Sequence, residues 1–144
     1  MKIRYKKLSP RAVCPRYATE FSAGADLCSA EENTVTIAPG ETAMIHTGLA
    51  IELERGTVGL ICARSGLATK RGLAPANKIG VIDCDYRGEV CVALFNHGDL
   101  AQTIEPGERV AQLVITPYIT GEFEETEELS DTVRGEGGFG STGR

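Results

Sequence analysis

The sequence lacks several features that would indicate common classes of protein. The basic start, with Lys2, Arg4, Lys6 and Lys7, is followed by no apolar run of signal-peptide length and no small-residue cleavage site. The formal charge is −5, and no basic stripe offers the counterion release on which sequence-independent binding to nucleic acid depends. We therefore expect a soluble, cytoplasmic protein that has neither a nucleic-acid nor a membrane partner.

Cysteine pairs with metal-binding or redox spacing are also absent. The number of cysteines is odd, no C-x-x-C occurs, and only His46 and His97 could join them as ligands. This argues against a disulfide framework and against a zinc site. The H-x-E and P-C-x-x-C signature of zinc deaminases is missing as well. We expect five free, buried or half-buried thiols, at Cys14, Cys28, Cys62, Cys84 and Cys91.

The length and the apolar pattern predict one all-β domain. A chain of 144 residues can bury a single core without a second domain. Short apolar or alternating segments separated by turn residues predict strands at 34–37, 44–53, 58–63, 80–82, 90–94 and 109–118. The one helix candidate, 67–71, is stopped by Gly72 and Pro75. Such a pattern is typical of a barrel or a sandwich.

The C-terminal part differs in composition from the rest. Six of the ten residues in 122–131 are acidic, which is typical of a solvated linker, so we predict a body at 1–121 and an arm at 122–144. Residues 135–142 fit the phosphate-binding pattern G-x-x-x-x-G-x-S/T, but the chain leaves no room for the helix of a true P-loop. The backbone amides, Arg134, two hydroxyls and the ring of Phe139 together suggest a nucleoside triphosphate as ligand. The alternative is a disordered glycine tail.

Residues 80–88 (GVIDCDYRG) place two carboxylates and a tyrosine at the tip of a hairpin. Asp83 and Asp85 would share a face on an extended strand, whereas a turn could separate them. A carboxylate here could take a proton from water, and the ring of Tyr86 could lie under a sugar. The alternative is that aspartate and glycine only make the turn.

Three further segments carry polar groups among small or apolar residues. Residues 63–68 (ARSGLA) present Arg64, Ser65 and Gly66, which are three kinds of phosphate donor, although Ser65 could instead cap a helix. Residues 23–27 (AGADL) supply Asp26, and a single carboxylate is enough for Mg²⁺ when a triphosphate provides the other ligands.

The third of these segments is 109–113 (RVAQL). Strand alternation puts Arg109, Ala111 and Leu113 on one face and Gln112 on the other. Gln112 could bind substrate or satisfy a buried backbone group.

In their order along the chain, AGADL, ARSGLA, GVIDCDYRG, RVAQL and RGEGGFGSTG resemble the five motifs of the homotrimeric dUTP pyrophosphatase family. The resemblance covers nearly the whole chain. It implies a jelly-roll-like, distorted β-barrel, a homotrimer with active sites shared between subunits, and a flexible C-terminal arm that closes over the substrate. The implied reaction is hydrolysis of dUTP to dUMP and pyrophosphate, which keeps uracil out of DNA and supplies dUMP for thymidylate synthesis.

The resemblance also implies roles for single residues. Asp83 would activate the attacking water, Tyr86 would lie under the deoxyribose, and Asn77 with the hairpin backbone at Val81, Ile82 and Asp83 would read the uracil edge. Phosphate contacts would come from Arg64, Ser65, Gly66 and Gln112, with Asp26 holding a water of the Mg²⁺ shell. The arm would contribute Arg134, Phe139, Gly140, Ser141 and Thr142, of which Phe139 would stack on uracil.

Two residues depart from the family pattern, since Ala63 stands where proline is frequent and Cys84 where serine is frequent. Cys84 raises the hypothesis of an oxidisable thiol at the site. A dCTP deaminase of the same fold and a non-catalytic nucleotide sensor remain as alternatives to a dUTP pyrophosphatase.

Overall fold

The computed structural model describes residues 1–138. Within this range the chain forms eleven strands and one short helix. The elements are β1 (Arg4–Lys7), β2 (Arg16–Tyr17), β3 (Gly24–Cys28), β4 (Val35–Ile37), β5 (Thr42–Glu52), β6 (Thr57–Cys62), α1 (Ser65–Arg71), β7 (Leu73–Pro75), β8 (Gly80–Ile82), β9 (Glu89–Asn96), β10 (Gln102–Ile104) and β11 (Arg109–Pro117).

Two larger sheets and a two-stranded ribbon make up the body. One sheet has the order β1-β5-β9-β7, the other has the order β2-β3-β11-β6-β8, and β10 pairs with β4. Every pairing is antiparallel. The protein is therefore all-β with a jelly-roll-like fold, as predicted.

The inner faces of the sheets and of the ribbon enclose a single hydrophobic core. Leu27 and Leu113 come from the five-stranded sheet, Leu49 and Leu94 come from the four-stranded sheet, and Ile37 comes from the ribbon. Strand β9 shows the pattern most clearly, because its residues alternate strictly between half-buried and buried positions. Alternation of this kind is the sequence signal of a strand with one face on the core.

The predicted strands are all present, but some short strands were missed. Strands β1 and β2 are exposed along their whole length, and β7 and β10 have only three residues each. Such segments bury too little apolar surface to produce a periodic pattern. Strand β3 (Gly24–Cys28) was missed as well, because its five residues include only two that are buried, Ala25 and Leu27. Their pairing with neighbouring strands is what makes them β-structure.

The predicted helix begins two residues earlier than expected, at Ser65, and ends at Arg71. Gly72 ends it as predicted, with a left-handed φ of 66° and with its N–H donating to the carbonyls of the last turn. The N-cap position is Arg64, and no side chain caps the helix. The interpretation of Ser65 as a helix cap is therefore wrong.

Beyond β11 the described chain, up to residue 138, contains neither helix nor strand. Its large apolar side chains, Ile119, Phe123, Leu129 and Val133, are almost entirely exposed. Among the described residues no helix is long and apolar enough to cross a membrane.

Candidate active site

One cleft collects the predicted phosphate-binding residues of the body. It has a volume of about 480 Å³ and forms where β11 pairs with β3 on one side and with β6 on the other. Gln112 lies opposite Asp26 in one pairing and opposite Cys62 in the other. The cleft, called here the anion cleft, is lined by Ala18, Ser22, Ala23, Gly24, Asp26, Cys62, Arg64, Ser65, Gly66, Arg109, Gln112 and Val114.

Asp26 is the centre of an ion-pair network in the anion cleft. Its carboxylate accepts from Arg64 Nε at 2.8 Å and from Arg109 NH1 at 3.1 Å. The Asp26 side chain is only 17% exposed, compared with 25% for Arg64 and 55% for Arg109. Two guanidinium groups against one carboxylate leave a formal excess of one positive charge. The cleft therefore suits an anion, to which guanidinium groups donate in pairs.

Arg109 was not among the predicted ligands, because simple alternation placed it on the face opposite Gln112. The pairing of β11 with β3 shifts register between Arg109 and Ala111, and both Val110 and Ala111 are fully buried. This β-bulge puts two consecutive residues into the core and rotates Arg109 onto the side of Gln112. The predicted facing of Arg109 is therefore wrong, and the sequence had no glycine or other signal that marked the bulge.

The small residues of the AGADL segment make room for Gln112. A Cβ on Gly24 would lie 2.4 Å from Oε1 of Gln112 and 3.1 Å from its Cβ. The Gln112 amide nitrogen donates to the carbonyl of Ala63 at 2.8 Å, which ties β11 to the segment that precedes Arg64. The space above the α-carbon of Gly66 is open, so a ligand can approach the backbone there.

A second cleft, called here the hairpin cleft, contains the predicted base and sugar residues. Its volume is about 320 Å³. Its walls come from β5, the loop after β7, the β8–β9 hairpin and β9. The lining residues are Met44, Asn77, Val81, Ile82, Asp83, Tyr86, Glu89, Cys91 and Ala93.

The two carboxylates of the hairpin separate. Strand β8 ends at Ile82, and the N–H of Tyr86 donates to the carbonyl of Asp83 at 3.1 Å, which closes a turn. Asp83 lines the hairpin cleft, whereas Asp85 lines a different cleft together with Arg4, Glu52 and Arg87. Of the two arrangements left open by the sequence, the turn is the one that occurs.

Tyr86 is held in place by its neighbours in the turn. Its hydroxyl donates to the carbonyl of Glu89 at 3.0 Å. A Cβ on Gly88 would lie 2.4 Å from that hydroxyl oxygen and 2.6 Å from the ring carbon that carries it. The ring therefore lies over Gly88, and Tyr86 remains 43% exposed.

Charged and thiol groups beside Tyr86 influence one another. The hydrogen bond that the Glu89 carboxylate accepts from Nδ1 of His46 raises the pKa of His46. Burial works to raise the pKa of Glu89, but its hydrogen bonds with His46 and with the backbone N–H of Gly48 outweigh burial and lower it. Burial, followed by the Glu89 charge, raises the pKa of the Cys91 thiol to about 11. This thiol therefore stays protonated near neutral pH.

Two other cysteines lie near the clefts. Burial, and then the charge of Asp26, raises the pKa of Cys28. Cys84 lines the same cleft as Asp85, with its sulfur 4.0 Å from the hydroxyl of Tyr118. Cys84 is thus not among the residues that line the hairpin cleft, and its redox role stays a hypothesis.

Within one chain the predicted site residues fall into two groups, because the lining residues of the anion cleft and of the hairpin cleft do not overlap. Arg134 belongs to neither, and its Nε donates to the carbonyl of Gly137 at 2.8 Å. Phe139, Gly140, Ser141 and Thr142 lie outside the described residues.

The fold and these clefts define a class of protein, namely an antiparallel β-barrel with a cationic cleft for an anion and a second cleft with a carboxylate beside an aromatic ring. The dUTPase family model matches residues 11–143. The chain therefore belongs to the dUTPase family.

Individual relatives are similar over their whole length. The chain is 52% identical, over 144 residues and 100% of both proteins, to the deoxyuridine 5'-triphosphate nucleotidohydrolase of Nautilia profundicola. It is 49% identical to the protein of the same name from Desulfitobacterium hafniense, covering 99% of this chain and 95% of the relative.

Solved structures agree with this assignment. The dUTPase of Staphylococcus bacteriophage 80alpha with dUpNHpp superposes with a TM-score of 0.91 at 34% identity, covering 99% of both chains. A variant of the dUTPase from phage phi11 of S. aureus, whose structure reveals the coordination of a structural Mg(II) ion, superposes with a TM-score of 0.81 at 30% identity, covering 89% of this chain and 98% of that one.

Proposed function

We propose that the protein is a dUTP diphosphatase that hydrolyses dUTP to dUMP and pyrophosphate. This activity removes dUTP before uracil enters DNA and provides dUMP for thymidylate synthesis. The observation that carries the proposal is the pair of clefts. One offers cationic donors for a polyphosphate, and the other holds a carboxylate beside an exposed aromatic ring. A nucleoside triphosphate needs both kinds of surface.

Asp83 is the general base in this proposal. Its carboxylate lines the hairpin cleft beside Tyr86, and the turn keeps it apart from Asp85. It takes a proton from a water molecule as the water oxygen bonds to the α-phosphorus. The bond from the α-phosphorus to the oxygen that bridges it to the β-phosphorus breaks, and pyrophosphate leaves with that electron pair. No covalent enzyme intermediate is needed.

The anion cleft holds the phosphates. Arg64 and Arg109 donate from guanidinium groups that Asp26 already orders, so little side-chain freedom is lost when a phosphate binds. Ser65, the amide of Gly66 and Gln112 line the same cleft. These positive and neutral donors neutralise the charge that builds up on the departing pyrophosphate.

Mg²⁺ fits this cleft only together with the phosphates. Asp26 is the one carboxylate among the residues that line the cleft, and Mg²⁺ is usually bound by one or two carboxylates, several waters and substrate phosphates. We assign Asp26 to a water of the Mg²⁺ shell. When bound, the ion would neutralise and orient the triphosphate.

The hairpin cleft selects the nucleoside. The ring of Tyr86 supports the deoxyribose, where a 2′-hydroxyl would clash, and the backbone of 81–83 together with Asn77 binds the uracil edge. Val81, in the middle of strand β8, is 61% exposed, so the backbone of this strand is accessible to a base. Hydrogen bonding by buried polar groups discriminates strongly, because a wrong base leaves those groups unpaired.

We propose that the protein acts as a homotrimer in which one subunit's anion cleft faces another subunit's hairpin cleft. The separation of the two groups of site residues within one chain supports this arrangement. The exposed side chains of Ile119, Phe123, Leu129 and Val133 would also become buried if this segment packed on another subunit.

The proposed homotrimer divides each chain into a body at 1–121 and an arm at 122–144. The arm closes over bound substrate, with Arg134, Gly140, Ser141 and Thr142 at the phosphates and Phe139 on the uracil ring. Closure would exclude water other than the attacking molecule. We place the protein in the cytoplasm, which its five free cysteines support.

The activity is tested by incubating the purified protein with dUTP, dTTP, dCTP and UTP, each with Mg²⁺ and with EDTA. Nucleotide products, pyrophosphate and ammonia are measured together. We expect dUMP and pyrophosphate from dUTP alone, with stimulation by Mg²⁺. Ammonia from dCTP would identify a deaminase, and binding of dUTP without any product would identify a sensor. Either result would overturn the proposal.

A further inference from the structure

Three side chains of metal-binding type meet at the wall of the hairpin cleft. Nδ1 of His46 lies 2.9 Å from a carboxylate oxygen of Glu89 and 3.5 Å from the sulfur of Cys91. All three ligand atoms lie within 4.8 Å of one another. None of these three side chains has a role in the proposed hydrolysis.

The sheet brings this trio together. His46 on β5 lies directly opposite Cys91 on β9, and Glu89 shares a face with Cys91 because the two are separated by one residue. The pairing then shifts register between His46 and Ala50. In this bulge the N–H of Gly48 donates to Glu89 at 2.7 Å, which holds the carboxylate at the cluster.

The surrounding charges favour a cation. Asp83 and Glu89 both line the hairpin cleft, and no lysine or arginine is among its lining residues. A further carboxylate, that of Glu31, accepts from the backbone N–H of His46 at 2.8 Å. A divalent ion at the trio would therefore lie near the carboxylates of Glu89, Asp83 and Glu31, with no lysine or arginine among the residues that line the hairpin cleft.

The ligand types select among cations. A nitrogen, a carboxylate oxygen and a thiolate sulfur suit Zn²⁺ and similar borderline ions, which take such ligands in tetrahedral sites. Mg²⁺ prefers an all-oxygen shell and keeps several waters. The trio is therefore a poor site for the ion that accompanies the triphosphate.

We propose that His46, Glu89 and Cys91 form a second cation site, selective for Zn²⁺ and related borderline divalent ions, at the wall of the hairpin cleft. The Nδ1 atom, one carboxylate oxygen and the sulfur are the protein ligands, and the fourth position is open to water. Binding replaces the proton of the Cys91 thiol, and any proton on Nδ1, by the metal ion. The lack of C-x-x-C spacing argued against zinc, but this trio carries no such signature, because His46 lies on β5 whereas Glu89 and Cys91 lie on β9.

The site is tested on reduced, chelator-treated, full-length protein in the absence of nucleotide, so that the result is independent of dUTP hydrolysis. Zn²⁺ is titrated by calorimetry, and Co²⁺ is followed by absorption. We expect one ion per chain, and a near-ultraviolet sulfur-to-cobalt charge-transfer band. Absence of stoichiometric Zn²⁺ binding, or a cobalt complex without that band, would overturn the proposal.

Matched variants locate the site. Cys91→Ser and His46→Gln each remove one ligand and should weaken Zn²⁺ binding at least about tenfold, or about 1.4 kcal/mol. Cys14→Ser and His97→Gln change a half-buried thiol and an exposed imidazole outside the cleft and should bind as the parent does. Circular dichroism verifies that each variant is folded. Equal binding by all four variants would place the ion elsewhere.

Discussion

The ring of Tyr86 lies over the α-carbon of Gly88, where a Cβ would come within 2.4 Å of the tyrosine hydroxyl oxygen. The same hydroxyl donates to the carbonyl of Glu89 at 3.0 Å. One glycine and one hydrogen bond thus set the position of the ring that we propose to lie under the deoxyribose.

Gly88→Ala should displace the ring and break its hydrogen bond. We expect kcat/KM for dUTP to fall about 10- to 100-fold, since a small misplacement of a positioning group has an effect of this size. The preference for dUTP over UTP should fall as well, because the displaced ring no longer blocks a 2′-hydroxyl. Steady-state kinetics with both nucleotides provide the measurement.

Gly121→Ala is the control for this change, because a Cβ at Gly121 meets no atom within 4 Å and its backbone φ is not positive. It should behave as the parent. Unchanged selectivity in Gly88→Ala would show that Tyr86 does not discriminate the sugar.

Asp83 and Asp85 form a natural pair of test and control. Asp83→Asn should lower kcat about 100- to 10,000-fold, the usual effect of removing a general base, while the affinity for the non-hydrolysable analogue dUpNHpp is retained. Asp85→Asn should keep near-parental kcat, because Asp85 lines neither the anion cleft nor the hairpin cleft but a third cleft, together with Arg4 and Glu52. Equal losses in the two variants would contradict the assignment of the base to Asp83.

Arg109 should contribute to phosphate binding although it was not predicted to do so. Arg109→Gln removes the excess positive charge of the anion cleft, and we expect KM for dUTP to rise about 10- to 100-fold, the value of a hydrogen bond to a charged group. Arg11→Gln is the control, since Arg11 bonds to Glu32 outside the cleft. A KM in Arg109→Gln equal to that of the control would exclude phosphate contact by Arg109.

Removal of residues 139–144 should separate catalysis from assembly. We expect kcat/KM for dUTP to fall about a hundredfold, the scale on which a misplaced reactive group reduces rate, and sedimentation to give the same oligomer as the full chain. Phe139→Ala alone should give an intermediate loss. Full activity in the truncated protein would show that residues 139–144 play no part in turnover.

Asn96 tests the body of the fold. It is fully buried, and its amide donates at 2.9 Å to the carbonyls of Ile37 and Leu100 and accepts at 2.9 Å from the N–H of Gly98. Asn96→Ala should lower the free energy of unfolding by about 2–4 kcal/mol, because it leaves buried backbone groups unpaired.

Urea unfolding measures this loss, and Asn33→Ala, at an exposed position, serves as the control. A change below about 1 kcal/mol in Asn96→Ala would contradict the role given to its hydrogen bonds.

Much of the fold could be predicted from the sequence, for physical reasons that lie in short segments. Core-facing strands such as β9 (Glu89–Asn96) can be recognised in the sequence by their alternation. Gly72 ends α1 through a left-handed φ that glycine adopts easily. The order of the five motifs indicated the family, which the match over residues 11–143 confirmed. These signals are local, so the sequence alone was sufficient for them.

The tertiary structure decided which side chains meet. Strand alternation placed Arg109 on the face of β11 away from Gln112. A bulge that depends on pairing with β3 instead directs the Arg109 side chain into the anion cleft. His46 and Cys91 are distant along the chain and become neighbours only through the register of β5 with β9. Register and bulges depend on how two strands pack together, so no single segment encodes them. The sequence by itself determined the elements and the family, whereas strand pairing determined the sites.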